Sequence, residues 1–357
     1  MDSNVVNSVE ETPIREKVQH FFSQWSFVFA SAFGILAILF LLGPVVTYKT
    51  KVDGVKTEYV VTLIDYFRNG FTFDWTMWVT LGLLFVGIVL PIIAGFLVRG
   101  EKGKENLMIG SALSFLVAFC FLFLSREFFV CNGSEDYYGN IANFHSAKLA
   151  WGCALSIFFT ALSAGAAMIA PYQRRPLNIG EIAENGILIA MAFGLNFIKI
   201  PVGATGGSIN FQMLPLMIIA LRRGPASGLI CGGILFGLLT CLTDGYGFAC
   251  YPFDYLIGFG SVAVMGFFRP FIFGQNQKGY NFKGEAFLLL AGVLSTFIRF
   301  MGSTVSSVVI YQYTFVAAMA YNVLYISLSG VCALAVLMAI YGPLVKVNAS
   351  FPARKSL

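Results

Sequence analysis

The strongest constraint on this chain is a succession of apolar runs, most of them close to the about 20 residues that a helix needs to cross a bilayer. We read spans at Trp25 to Tyr48, Trp75 to Val98, Leu107 to Leu124, Ala147 to Ala170, Ala183 to Ile200, Phe211 to Leu221, Ala226 to Leu242, Tyr255 to Phe273, Glu285 to Tyr311 and Thr314 to Leu344. With 57% hydrophobic and only 11% charged residues, the chain lies far from a soluble domain. The expected fold is an all-α integral membrane protein of about ten transmembrane helices.

The charge sits in short loops. Arg99, Lys102 and Lys104, then Arg174 and Arg175, Arg222 and Arg223, Arg269, Lys278 and Lys283, and Lys346, Arg354 and Lys355 fall on one side of the alternating spans. That side is the cytoplasm by the positive-inside rule, so both termini are expected inside the cell membrane. The net charge of +5 then reports orientation in the lipid bilayer, and nucleic acid is not an expected partner. One outer loop breaks the pattern: Lys49, Lys51, Lys56 and Arg68 are balanced by Asp53, Glu58, Asp65 and Asp74 around a Val52-Asp53-Gly54-Val55 hairpin core, which we read as a connector. Trp25, Trp75, Trp78 and Trp151 stand near helix ends, as interfacial anchors do.

Little points to catalysis. Cys120, Cys153, Cys231, Cys241 and Cys332 lie inside apolar runs as small hydrophobes, and Cys131 and Cys250, in outer loops, are expected to be free thiols rather than bonded. The two histidines, His20 and His145, make no metal site, and no cofactor is expected. The loop segment Glu135-Asp136-Tyr137-Tyr138 reads as solvated. The first apolar run is long and lacks a small-residue cleavage site, so no removable signal peptide is expected. No GxxxxGK[ST] phosphate loop and no nucleophile–base pair is present, so the chain is not expected to be an enzyme.

Pro171 to Gly180, with two prolines, two arginines and a polar tail, divides the chain. Residues 1–176 would form a membrane domain of four helices and unknown role, and residues 177–357 one of six, by the same criterion of about 20 residues per span. Within the second part, Gly206 to Gly224 is unusual: a neutral, glycine-containing loop runs into an apolar stretch too short to cross alone, which ends at Arg222-Arg223-Gly224. Irregular backbone at membrane depth is tolerated where protein or a water-filled cavity covers it, so this loop is expected to wall a binding site open to the outside.

From about Leu177 onward the chain resembles the thiamine-specific substrate-capture (S) component of energy-coupling factor transporters, vitamin importers of the ABC superfamily. The resemblance is carried, in order, by Glu181-Ile182-Ala183, Leu214-Pro215, Ala220 to Gly224, Gly228 to Leu238, Asp254-Tyr255, Ile298-Arg299-Phe300 and Tyr321-Asn322. It implies a six-helix fold with a ligand pocket near the outer surface, closed by a lid that here would comprise Gly206, Gly207 and Ser208. It further implies, as partners, a transmembrane scaffold protein and two cytoplasmic ATPases. At Ser303, Ser307, Gly206 and Ala317 the chain departs from the residues usual in thiamine binders.

The resemblance and the residues together give the expected substrate-binding set: Asp254, Tyr255, Tyr311, Asn322, Ser303, Ser307 and Asn210. Asp254 could pair with a cationic ring or, alternatively, cap a helix. Arg299 stands about 20 Å from either end of its span by the helical rise and needs a partner there. Asp254 in a structural ion pair is one, and a backbone or asparagine oxygen another. Arg299, Ser303, Ser307 and Tyr311 recur every four residues, one helical stripe that could line a pocket or pack. Ala183, Gly186, Ala190 and Gly194 form a small-residue stripe, either a docking face for the scaffold protein or internal packing. The function expected is a membrane-embedded substrate-binding subunit that captures thiamine or a related small heterocycle on the outer side. The alternatives are a scaffold or accessory protein with a vestigial pocket, or an S component for a different small molecule.

Overall fold

The structure is a computed structural model, and it describes residues 14–52, 55–69, 75–133, 147–173, 179–202, 207–274 and 280–351. In the first part come α1 (Ile14–Leu41), β1 (Pro44–Val52), β2 (Val55–Thr62), α2 (Leu63–Asn69), α3 (Trp75–Phe96), α4 (Glu101–Phe123), α5 (Ser125–Gly133), β3 (Lys148–Leu149) and α6 (Trp151–Gln173). The second part begins with α7 (Ile179–Phe197), β4 (Ile200–Val202), β5 (Gly207–Ile209) and α8 (Met213–Arg223). It continues with α9 (Pro225–Asp244), α10 (Phe248–Phe273), α11 (Phe282–Val309) and α12 (Phe315–Ala339), and ends with α13 (Tyr341–Ser350). Seven of these, α3, α4 from Gly103, α6 to Met168, α9, α10, α11 and α12, are long and apolar enough to cross a membrane among the described residues, and Trp25–Leu41 of α1 is a shorter apolar helix.

Each of the ten expected spans has a helix, with two boundaries displaced. The first span stops at Leu41 instead of Tyr48: Gly43-Pro44 ends the helix, and the following Val-Val-Thr-Tyr leaves as strand β1. β1 pairs antiparallel with β2 and, on its other side, with β3, so the outer loop read as a connector is a small three-stranded sheet. The last span breaks at Ile340 between α12 and α13. Gly206, His145, the Glu135 to Tyr138 segment, Arg174 and Arg175 lie outside the described residues, as does the side chain of Cys131. Cys250 is a free thiol.

α1, α3, α4 and α6 pack through small residues. Phe115 of α4 is fully buried where Cβ atoms on Gly34 and Gly87 would lie 2.8 Å from its ring, so only glycine leaves it room. Ser111 Oγ donates to the Gly87 carbonyl at 2.7 Å and Ser31 Oγ to that of Ile88 at 3.1 Å, which satisfies hydroxyls that lipid cannot.

In the second part α9 and α10 lie against each other along a glycine seam. A Cβ on Gly232 would stand 2.6 Å from the Phe259 carbonyl, and one on Gly233 2.7 Å from that of Leu256. Both helices carry a π-helical stretch at this seam, Leu229–Phe236 and Tyr251–Ile257. Such wide turns are rare and concentrate at functional sites.

Arg222 and Arg223, expected to mark a cytoplasmic helix end, are mostly buried and paired. Arg222 meets Glu184, and Arg223 meets Glu184 as well as Glu181, the latter at 2.5 Å. A guanidinium beside lipid is tolerable when a carboxylate from the neighbouring helix neutralises it. The small-residue stripe faces outward: Ala183, Gly186, Ala190 and Gly194 are all exposed, and a Cβ on Gly186 or Gly194 would meet nothing within 4 Å. Internal packing is therefore not what those residues serve among the described residues.

Candidate functional site

At the end of the second part where β4 and β5 lie, a cavity of about 320 Å³ opens between the hairpin and the ends of α7, α9, α10, α11 and α12. The hairpin is held both within itself and against α12. Ile200 pairs with Ile209, Pro201 with Ser208 and Val202 with Gly207, and the strand is pinned to α12 through Ser329. Ser329 Oγ accepts from the Asn210 amide at 3.3 Å and donates to the Ser208 carbonyl at 3.4 Å. A Cβ on Gly207 would fall 2.8 Å from Tyr321 Oη and 2.7 Å from Tyr325 Cδ1, so glycine is required for the backbone to rest on these two rings.

Of the residues expected to bind substrate, Asp254, Tyr255, Tyr311, Ser303, Ser307 and Asn210 line this cavity, as do Gly207 and Ser208 of the lid. Asp254 is not a terminal helix cap; it sits inside the π-helical turn, where Ser306 Oγ donates to its carboxylate at 2.5 Å. Asn322 does not line the cavity. It is 0% exposed, donates from Nδ2 to Ser307 Oγ at 2.9 Å and accepts from Tyr325 Oη at 2.8 Å, so it orients two residues that do.

Arg299 also lines the cavity, but the expected structural ion pair is not formed: among the described residues no carboxylate lies within 4.0 Å of it. Its guanidinium instead lies over the Phe259 ring, 4.6 Å from the centroid, where the ring's quadrupole attracts it. Arg299, Ser303, Ser307 and Tyr311 all line the cavity, although α11 ends at Val309 and Tyr311 belongs to the turn beyond, in which Gln312 has φ 57°.

Several wall residues escaped the sequence reading. Gln212 lies just before α8, and Lys199 lies between α7 and β4. Asp244 ends α9 ahead of left-handed Gly245, φ 78°, and accepts from Asn196 Nδ2 and Tyr255 Oη, each at 3.4 Å. Tyr246, Tyr313, Tyr321 and Tyr325 add aromatic surface. The four-residue spacing of Tyr321 and Tyr325 was the available signal, since it puts both rings on one face of α12. Burial pushes the Tyr311 hydroxyl well above the ordinary tyrosine range, and burial followed by the Asp244 charge raises that of Tyr246, so both are neutral donors at physiological pH.

Two acids, Asp244 and Asp254, and two cations, Lys199 and Arg299, share the wall. Three buried polar atoms on it lack a protein partner: Asn210 Oδ1, Gln212 Oε1 and Arg299 Nε, on residues only 4%, 4% and 8% exposed. Each such atom costs about 1 to 3 kcal/mol when left unsatisfied. Amide, guanidinium, carboxylate and tyrosine side chains thus line one space, an arrangement suited to a flat, polar, partly charged molecule.

A family model described as thiamine transporter protein (Thia_YuaJ) matches residues 182–350. The thiamine transporter ThiT of Lacticaseibacillus paracasei is 27% identical over 139 residues, which is 35% of this chain and 66% of that protein. ThiT of Bacillus subtilis is 27% identical over 128 residues, 35% of this chain and 62% of that protein. The matched stretches thus span just under two thirds of those relatives' own lengths. Among solved structures, ThiT from Listeria monocytogenes aligns with 48% of this chain and 95% of its own at 24% identity and TM-score 0.39. The S component of a bacterial ECF transporter aligns with 49% of this chain and 98% of its own at 21% identity and TM-score 0.34.

Proposed function

Residues 182–350 are ThiT-like, and from that premise we propose that the protein is the membrane-embedded substrate-binding subunit of an ECF-type vitamin importer. It captures thiamine or a related small heterocycle in the cavity under the β4–β5 hairpin, on the outer side of the cell membrane. A transmembrane scaffold protein and two cytoplasmic ATPases then drive release inward, since this chain has no phosphate loop of its own. Both termini lie in the cytoplasm in this arrangement.

The observation that carries the reading is that Asp254, Asn210, Gln212 and Arg299 line one cavity together with tyrosine rings. Asp254 supplies a counter-charge to a cationic ring, and a charge-assisted contact shielded from water is about twice as strong as a neutral one. The amides of Asn210 and Gln212 can accept from or donate to an exocyclic amine or ring nitrogen, and the Arg299 guanidinium can donate to a ring nitrogen or hydroxyl. Tyr311, Tyr321 and Tyr325 offer faces on which a heterocycle stacks.

Calorimetry with the purified protein tests this. Thiamine should bind with a measurable heat, and Asp254→Asn should weaken it by about tenfold or more, the loss of one charge-assisted contact. Absence of heat with thiamine and with its separate pyrimidine and thiazole moieties would remove the specific claim.

A further inference from the structure

The residues that touch the outer segment of α10 come from both parts of the chain. Phe253, the residue immediately before Asp254, is 3% exposed and sits in a notch made by the first part. The Phe121 ring meets it edge-on at 5.4 Å and the Phe128 ring at 6.0 Å, and these two stack on each other at 5.3 Å. One residue earlier, Cys120 Sγ donates to the Pro252 carbonyl at 3.5 Å. At the start of the segment, Phe123 packs edge-on against Phe248, 5.9 Å away, and Phe248 stacks on Tyr251 at 5.3 Å. Residues 120–128 thus hold the segment over most of its length.

From the other side α11 presses on the same turn. A Cβ on Gly302 would fall 2.8 Å from the Phe253 carbonyl, and Ser306 holds the Asp254 carboxylate. Tyr251–Ile257 is π-helical, a conformation rare in isolation and seen as single turns held by their surroundings. Its width decides where Asp254 and Tyr255 point. One clamp on that turn is α11, inside the stretch that matches the thiamine transporter family. The other is the α4–α5 corner, which lies outside it.

We propose that Cys120, Phe121 and Phe128 are positioning residues for the ligand site: the N-terminal part of the chain braces the π-helical turn and so sets where Asp254 and Tyr255 stand in the cavity. The inference rests on the reading of that cavity as the substrate site, and it gives residues 1–176 a direct share in affinity. These side chains touch no ligand; they act through Phe253 and the Pro252 carbonyl.

The full-length protein in detergent, with thiamine as the probe, allows the test by a double-mutant cycle. Phe121→Ala should weaken thiamine binding about tenfold in the wild-type background but no more than about twofold when Asp254 is already asparagine, because coupled residues are non-additive. Phe121→Leu, which keeps apolar bulk, should recover most of the affinity, and Phe128→Ala, which removes the other ring on Phe253, replaces Phe121→Ala if that one does not fold. Equal losses in the two backgrounds, or no loss in either, would overturn the brace. A second readout needs no ligand: backbone hydrogen exchange across 248–257 should quicken in the alanine variant and stay near wild type in Phe121→Leu, and unchanged exchange in the alanine variant overturns the inference whatever thiamine does. If wild-type protein fails to bind thiamine, the functional reading fails by itself and the exchange result alone decides the brace.

Discussion

Asn322 shows how a residue can matter to a pocket without touching what it holds. Its side chain is spent between Ser307 and Tyr325, both of which face the cavity. Asn322→Ala would leave these hydroxyls to reorient and remove two buried hydrogen bonds, a loss of about 1 to 3 kcal/mol in stability. Thermal unfolding of the purified protein should show the lowered midpoint, and ligand affinity should fall with it. Asn322→Asp keeps the acceptor for Tyr325 and should fall between. An unaltered midpoint in the alanine variant would mean that these two bonds hold nothing. The sequence pointed to Asn322 as a contact because Tyr321-Asn322 stood in family order; its partners, Tyr325 three residues on and Ser307 on α11, were what turned it inward. Arg299 was legible as a buried cation needing a partner, whereas its choice of the Phe259 ring over Asp254 depends on how α10 and α11 cross.

At the scale of elements, the apolar runs told where helices would be, and their ends depended on local chemistry that is harder to weigh. Gly43-Pro44 stops α1 early, and the β-branched run behind it had been counted as membrane helix because it is equally apolar. The neutral loop after α7 was read as flexible, whereas it closes as a hairpin because its strands find Ser329 and two tyrosines on α12. Those partners lie more than a hundred residues away along the chain, so no local pattern announces them. Gly207→Ala tests the lid: the added methyl would meet Tyr321 and Tyr325 and lift the strand. The expected outcome is ligand affinity reduced by about tenfold with little change in unfolding temperature, since the strain falls on a surface hairpin rather than the core. A loss of fold without a specific loss of affinity would mean that the hairpin serves the bundle and not the cavity.

The whole molecule joins a ThiT-like segment to a first part that lies outside the family match. Their join is legible only in coordinates, for nothing in Cys120 to Phe128 distinguishes it from other aromatic membrane helix. Among the cavity-lining residues anticipated from sequence, Asp254 and Tyr255 came from an ordered motif and Ser303, Ser307 and Tyr311 from a helical stripe, whereas Gln212, Asp244 and Lys199 entered because distant helix ends converge. Opposite charges balance on that wall, with Asp244 and Asp254 facing the same space as Lys199 and Arg299. The central claim is that this space holds a small aromatic heterocycle. The most direct measurement is mass spectrometry of whatever small molecule is released from the purified full-length protein, supplied with thiamine during growth and washed before release. The account predicts thiamine or a close heterocyclic relative at near one per chain, and its loss in Asp254→Asn. Protein occupied by a molecule without an aromatic ring, or empty after growth with thiamine and unable to take it up on mixing, would contradict it.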